Sequence, residues 1–334
     1  MIFIASILSV LLAVTWGGTV YDWETFHIIV PLILGFLGMA LFTTFEWAPR
    51  LCPAPSFPKS LVSNRTSAAA LGLTFIHAIV TYWTYYFLPV YFQSVKRQSA
   101  MHSGIETLPT FAGGLLFALV GGVLLSKLGR YKALHLTSFA VFTIAFGLLS
   151  LLDANSNPAA WVFFQIIAAS GSGVLVEILL PAVQAPLDQS LVATSTGLWS
   201  FARYFGCIWG VTIPSAIFNN ECAGLASKLS DQDLASKLTG GRAYQYATAE
   251  FLDSIPNLAL QAEVVQVLTR ALRTVWLVGI AFAGVGMLLA FVEKDIPLRR
   301  DLNTEFGMEG RKKDDGVEGE YVGGIEMTPL QASK

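Results

Sequence analysis

Eight long runs of mostly apolar residues divide the chain, and short polar connectors separate most of them. About 20 apolar residues are enough for a helix to cross the hydrocarbon core of a bilayer. A β-barrel is disfavoured because its strands would alternate apolar and polar residues over about ten positions. The pattern predicts an all-α polytopic membrane bundle. The expected spans are 1–17, 27–46, 67–92, 105–126, 132–152, 159–184, 192–218 and 270–292.

The polar stretches between the runs indicate the domain organisation. Residues 1–66 are expected to form two transmembrane helices followed by a cytoplasmic loop, and 67–292 a six-helix domain. Within that domain, 219–269 reads as a polar outer loop. Residues 293–334 are rich in Glu, Gly, Lys and Asp, a composition that predicts a disordered cytoplasmic tail.

Composition supports a membrane protein and excludes several other classes. Of the 334 residues, 54% are hydrophobic and 13% are charged, whereas soluble domains average about 25% charged residues. A net charge of −2 gives no reason to expect a nucleic-acid partner. The three cysteines are far apart and show no metal-ligand spacing. We therefore expect no metal, no cofactor and no enzymatic activity, since neither a phosphate-binding loop nor a catalytic motif is present.

Basic residues in the short loops predict the topology, because Lys and Arg accumulate on the cytoplasmic side. One set of short loops holds Arg50, Lys59, Arg65, Lys127 and Arg130, and the other set only Lys96 and Arg97. Both termini are therefore predicted to be cytoplasmic. The expected location is the plasma membrane, with the vacuolar membrane as the alternative.

Three titratable residues stand out inside the predicted spans, namely His77, Glu177 and Arg203. A charged side chain at the centre of a bilayer costs roughly 2.5–3.5 kcal/mol on insertion scales, so such residues are functional candidates. Glu177 and Arg203 lie at compatible depths in successive spans. We expect an ion pair or a shared water-filled pocket between them, and a purely structural pair is the alternative.

Helical spacing adds further candidates to these three. Gln184 shares a face with Glu177, and Tyr85 shares a face with His77. The neighbouring Tyr82 belongs to the same aromatic run as Tyr85. Aromatic side chains near a span end commonly form an interfacial belt, but these two tyrosines could also stack against a substrate. The predicted substrate-cavity or proton-coupling residues are His77, Tyr82, Tyr85, Glu177, Gln184 and Arg203.

The connector after the fourth span carries a recognisable loop motif. Its members are Gly122, Ser126, Lys127, Gly129 and Arg130. The spacing resembles the cytoplasmic loop signature of the major facilitator superfamily. In that signature an acidic residue stands where Ser126 stands here, so the full ion-pair network of the family is not expected.

Further blocks resemble the fungal fourteen-helix drug:proton antiporter branch of that superfamily. These blocks are Thr15-Trp16-Gly17-Gly18, Phe87-Leu88-Pro89, Ser103-Gly104, Gln184-Ala185, Phe201-x-Arg203-x2-Gly206-x3-Gly210 and Phe218-Asn219-Asn220. The resemblance implies that 1–17 and 27–46 are two linking helices and that six C-terminal helices follow. By the same resemblance, an N-terminal half is absent from this sequence.

The resemblance also implies a function. It points to proton-coupled efflux of a small lipophilic compound, such as a toxin, secondary metabolite or drug, across the lipid bilayer. The expected partners are that substrate, protons, and a complementary N-terminal half or full-length relative. Two alternatives stay open: import of a siderophore or another small molecule, and a non-transporting fragment or regulatory half-molecule.

Overall fold

The computed structural model describes residues 1–297, except for 49, 53, 54 and 56. In this part of the chain the regular structure is helical, with two 3₁₀ turns at Gln189–Leu191 and Ala243–Tyr246. The α-helices are α1 (Ile2–Trp16), α2 (Phe26–Glu46), α3 (Lys59–Ser63), α4 (Arg65–Ser94), α5 (Ala100–Glu106), α6 (Leu108–Leu128), α7 (Lys132–Leu149), α8 (Pro158–Gln184), α9 (Val192–Ala226), α10 (Gln232–Lys237), α11 (Ala249–Asp253) and α12 (Leu258–Val292).

Every predicted span coincides with a helix, which confirms the all-α membrane bundle. Among the described residues, seven helical segments are long and apolar enough to cross a membrane, and α1 is a shorter apolar helix of 15 residues. The main difference from the sequence prediction is length. Helices α9 and α12 have 35 residues each, or roughly 52 Å at 1.5 Å per residue. They extend beyond a hydrocarbon core of about 30 Å, so the outer loop shortens from 219–269 to 227–257.

Helix α4 lies at the centre of the bundle. It packs against α8, α9 and α12, while α6 and α7 pack against α8. The α4 side chains Trp83 and Phe87 are fully buried, and Trp83 meets Phe146 of α7 edge to face. Helices α8 and α9 touch each other only slightly because α4 separates them. This order places the polar residues of three helices around one central element.

The two ends of the bundle differ in what they carry. At one end of the bundle, α6 and α12 finish and α4 and α7 begin. We call it the loop-motif end, because the Gly122 to Arg130 motif lies there. Arg65 Nε donates to the carbonyl oxygen of Val292 at 2.7 Å, which joins the start of α4 to the finish of α12 at this end. The other end, where α7 finishes and α12 begins, is called the opposite end.

Helices α1 and α2 form a hairpin that docks on α9 through α1. At the loop-motif end, Phe3 packs against Phe42 of α2 and Phe201 of α9, with ring centres 4.9 and 5.5 Å away. At the opposite end, Asn220 Nδ2 donates to the carbonyl oxygen of Gly17 at 3.2 Å. The hairpin is therefore fixed to α9 at two separate levels.

A small folded cap, residues 227–257, covers the opposite end. Its Tyr244 backbone N–H donates to Asn219 Oδ1 at 3.1 Å, and burial raises the pKa of the Tyr244 phenol. Arg97 donates from Nε to Asp253 Oδ1 at 3.1 Å and from Nη1 to Gln261 Oε1 at 2.9 Å. These contacts attach the cap to α9 and to the segment after α4, and they attach that segment to α12.

The predicted disordered tail, 293–334, lies outside the described residues from position 298 onward. Its first residues are described and are held against the bundle. Glu293 is fully buried, and the Lys294 backbone N–H donates to Thr66 Oγ1 at 3.2 Å. The folded part of the chain therefore continues beyond the last residue of α12.

Candidate functional site

His77 belongs to a buried polar cluster between α4 and α8, which we call the histidine cluster: His77, Thr81 and Ser172. His77 Nε2 lies 3.1 Å from the backbone oxygen of Ser172 and 3.2 Å from both the Ser172 and the Thr81 hydroxyl oxygens. The two hydroxyls are 2.9 Å apart. Because a carbonyl oxygen only accepts, the ring proton is placed on Nε2. The cluster joins α4 to α8 inside the protein.

A narrow cleft continues from this cluster toward α6. Thr81, Tyr85 and Ser172 line it together with Thr110 of α6, and about 10 Å³ is open to the centre of a water molecule. A cavity of this size holds about one water. The void is small and mostly apolar, with a few hydroxyl groups at its edge, and His77, which is only 3% exposed, does not line it.

The two candidate tyrosines face different neighbours of α4. Tyr82 is half-buried, and its Cβ lies against the backbone of α9 at Gly210. Tyr85 packs against Phe111 of α6 with ring centres 4.7 Å apart. The exposed Tyr86 continues the aromatic surface at 6.3 Å from Tyr82. These rings form a partly exposed surface rather than a sealed core. Stacking against a substrate would require such an exposed surface.

The expected Glu177–Arg203 ion pair is wrong for this structure. Among the described residues, four salt bridges form, and neither residue takes part in one. Glu177 is exposed on α8, whereas the Arg203 guanidinium lies over the Trp199 ring at 5.4 Å from its centre. The reason is the position of α4 between α8 and α9, which spacing along each helix does not reveal.

Gln184 forms the direct polar link between the end of α8 and the start of α9. Its Nε2 donates to Thr196 Oγ1 at 3.0 Å and to the Val192 carbonyl oxygen at 3.5 Å. The amide is partly exposed and lies at the loop-motif end, away from the histidine cluster. The six candidates are therefore spread around α4 and do not converge on one point.

The residues of the loop motif divide into a turn and a charged rim. Gly129 ends α6 with φ of 65°, a left-handed conformation that turns the chain toward α7. Arg130 Nε lies 3.5 Å from Asp295 Oδ2. Ser126 and Lys127 are exposed, and Gly122 has open space around it. Ser126 stands where the family signature has an acidic residue. Arg130 of the motif instead forms an ion pair with Asp295, which follows α12.

Sequence reasoning missed a buried histidine–glutamate pair beside this motif. His135 Nδ1 of α7 lies 2.7 Å from Glu293 Oε2, and both side chains are fully buried. Neither His135 Nε2 nor Glu293 Oε1 has a hydrogen-bond partner among the described residues. His135 was detectable as a second histidine within a predicted span, by the criterion that selected His77. Its partner, Glu293, directly follows the last predicted span and was assigned to the tail.

A lysine and a tyrosine side chain donate hydrogen bonds to the backbone carbonyl oxygens at the C-terminal end of α12. Lys132 Nζ donates to the carbonyl oxygens of Phe291, at 3.0 Å, and of Glu293. The Tyr131 hydroxyl donates to the Lys294 oxygen at 2.7 Å, and burial raises its pKa to about 12, so it remains a donor. Positive charge at a helix C-terminus is stabilising because the carbonyl groups there lack helical partners. We call these residues, with the His135–Glu293 pair, the α12 clamp.

Across the described residues, no group of three or more His, Cys, Asp or Glu side chains could hold a metal ion. Cys207 and Cys222 are buried and Cys52 is half-buried, all three as free thiols.

Comparisons with known proteins agree with the helical bundle and its motifs. The family model for the Major Facilitator Superfamily matches residues 1–211. The "MFS-type transporter ucsD" of Acremonium sp is 56% identical over 312 residues, which are 93% of this chain and 53% of that protein. The "Efflux pump FUS6" of Gibberella fujikuroi is 42% identical over 310 residues, or 92% of this chain and 56% of that protein. The chain spans about half the length of these curated relatives.

A solved structure has the same kind of fold. It is the inward-facing, occupied form of a bacterial homologue of the human lysosomal transporter Spinster. The TM-score is 0.54 at 16% sequence identity, and the match covers 86% of this chain and 66% of the other. Together with the bundle of long apolar helices and the family match over most of its length, the relatives show that this chain belongs to the major facilitator superfamily.

Proposed function

We propose that this chain takes part in proton-coupled efflux of a small lipophilic compound across a membrane. The observation that carries the proposal is the arrangement around α4. Partly exposed aromatic rings, Tyr82 and Tyr85, lie beside a buried polar cluster and between helices α8 and α9, which carry the exposed Glu177 and the half-buried Arg203. Apolar pockets with a few polar groups are the usual sites for lipophilic ligands. Relatives named as efflux pumps support export as the direction.

Glu177 is the proposed proton-carrying group. It lies seven residues before the end of α8, roughly 10 Å into the helix at 1.5 Å per residue. It is exposed and has no salt-bridge partner among the described residues. A carboxylate in this position can gain and lose a proton without breaking a contact. His77 is the less suitable carrier because its ring nitrogen Nε2 is already hydrogen-bonded in the histidine cluster.

Transport into inside-out vesicles tests the proposal. The lipophilic dye Nile red serves as the probe, and an imposed proton gradient should drive its uptake until a protonophore is added. Glu177→Gln should abolish the gradient-driven part. Glu250→Gln, on the exposed surface of α11, is the matched control and should transport normally. Uptake that is insensitive to the protonophore would contradict proton coupling, and unchanged uptake in Glu177→Gln would contradict the assigned carrier.

We further propose that the transporting unit contains a second set of helices facing α4, α6, α8 and α9. The chain spans about half the length of its relatives, and many large apolar side chains of α6, such as Leu115 and Leu119, are exposed. A complementary half or a full-length relative would cover them. Co-purification of tagged chain with a co-expressed N-terminal half tests this, and a pure chain with no transport of its own would favour a regulatory half-molecule.

The orientation in the membrane is also a proposal. Arg65, Lys127, Arg130 and Lys132 gather at the loop-motif end, which supports placing this end in the cytoplasm by the positive-inside rule. The plasma membrane is the proposed location. Single-cysteine labelling with a membrane-impermeant reagent tests the orientation, and labelling of Lys127→Cys from outside intact cells would contradict it.

A further inference from the structure

An open cleft of about 920 Å³ lies at the opposite end of the bundle, between the finish of α7 and the first half of α12. Its apolar wall includes Leu151, Leu152 and Val265. Leu151 is 62% exposed, so this wall opens toward the surroundings of the protein. The charged residues that line the cleft are Arg97, Asp153, Glu263, Arg270 and Arg273.

Three of these five charged side chains already have partners. Arg97 pairs with Asp253, Asp153 Oδ1 accepts from the Ser156 hydroxyl at 2.9 Å, and Glu263 accepts from the Ser230 backbone and hydroxyl at 3.0 and 2.8 Å. The guanidinium groups of Arg270 and Arg273 have no salt bridge or hydrogen bond within the described part of the chain. Both are exposed. The cleft therefore presents two uncommitted positive charges.

Their depth follows from helix geometry. Arg273 and Arg270 precede Val292, the last residue of α12, by 19 and 22 positions. At 1.5 Å per residue they lie roughly 28 and 33 Å from that end. The hydrocarbon core of a bilayer is about 30 Å thick. If α12 crosses the membrane from Val292, both guanidinium groups reach the level of the phospholipid headgroups on the far side.

The geometry points to a phospholipid site in which Arg270 and Arg273 bind the headgroup phosphate and the apolar wall of the cleft receives an acyl chain. Residues three apart lie on the same helix face, so both side chains can reach one phosphate. Guanidinium groups bind phosphate oxygens through paired hydrogen bonds. Lys228 lines a small adjoining pocket with Arg270 and adds positive charge. The lipid belongs to the leaflet at the opposite end, which is the outer leaflet in the proposed orientation.

Native mass spectrometry of the full chain in detergent tests this site independently of transport. Phosphatidylglycerol is the probe lipid, and its affinity is measured for the wild type and for the double variant Arg270→Gln/Arg273→Gln. Loss of two charge-assisted contacts should weaken binding about tenfold or more. Arg270→Lys/Arg273→Lys keeps the charge and should retain most of the binding. Both positions are exposed, so the variants should fold.

Lys237→Gln/Arg242→Gln is the matched control, because it removes the same charge from the cap at the same end but outside the cleft. The control should bind the lipid as the wild type does. Equal lipid affinity in the Arg270→Gln/Arg273→Gln variant and the control would overturn the site. Inorganic phosphate forms a separate arm of the test. If it displaces the lipid at comparable concentration, the cleft binds free anions, and the phospholipid assignment is wrong.

Discussion

Glu293→Ala should destabilise the folded chain strongly, because it breaks the His135–Glu293 pair of the α12 clamp. The pair has a 2.7 Å contact, and both side chains are fully buried. The substitution leaves the His135 Nδ1 atom buried without its hydrogen-bond partner. Leaving a buried polar group without its hydrogen-bond partner costs about 1–3 kcal/mol, and more where the group is charged. We expect a loss in that range in the free energy of unfolding.

The exposed pair between Lys237 and Asp233 provides the matched control. Its atoms approach to 2.8 Å, almost the distance in the buried pair, but the side chains are 35% and 75% exposed. Water and salt screen an exposed pair of this kind, so it contributes little to stability. Asp233→Ala should therefore cost far less than Glu293→Ala, although both remove one carboxylate from a close contact with a basic side chain.

Unfolding in mixed micelles, with increasing dodecyl sulfate, measures both variants by circular dichroism. The double variant His135→Ala/Glu293→Ala should cost less than the sum of the single variants, because it leaves neither partner buried alone. Two results would refute the reasoning: equal costs for Glu293→Ala and Asp233→Ala, or strict additivity of the two single variants in the clamp.

Two other substitutions address helix packing and the hairpin. Gly206→Ala would place Cβ 2.5 Å from the Phe75 backbone oxygen and should cost about 1–3 kcal/mol by overpacking. The control Gly197→Ala meets open space on the same helix and should be neutral or slightly stabilising. The same micelle titration compares the two variants, and equal stability would contradict the close α4–α9 contact. Asn220→Ala removes the hydrogen bond to Gly17, which is worth about 1 kcal/mol. The loss should speed hydrogen exchange of the backbone amides in the α1–α2 connection. Unchanged exchange there would show that the bond does not hold the hairpin.

The sequence was sufficient for the helices because a bilayer demands continuous apolar runs of predictable length. It was less informative where helices leave the bilayer. Residues 219–226 and 258–269 contain polar side chains such as Asn219, Glu221 and Glu263. In a membrane-span prediction these positions read as loop, yet they continue α9 and α12 as helix. The folded cap of 227–257 stabilises those extensions through contacts that no local pattern reveals.

The candidate site was predicted residue by residue but not in its arrangement. Spacing along a helix gives the depth and the face of a side chain, as for Thr81, which lies four residues after His77 and contacts it. It does not say which helix lies opposite. For Glu177 and Arg203 the missing information was the position of α4, which separates α8 from α9. Ser172 was missed because a single serine in an apolar span carries no charge to draw notice.

The bond between Asn220 and Gly17 links positions 203 residues apart. Next to this bond, the Trp23 ring covers Gly17. A Cβ on Gly18 would lie 2.2 Å from the Asn220 amide oxygen. The backbone φ of Gly18 is +70°, which also favours glycine. The first two helices are therefore not an interchangeable module. A chimaera that imports another hairpin would need the matching residue at position 220, and the first forty-odd residues and the late part of α9 are expected to be inherited as one unit.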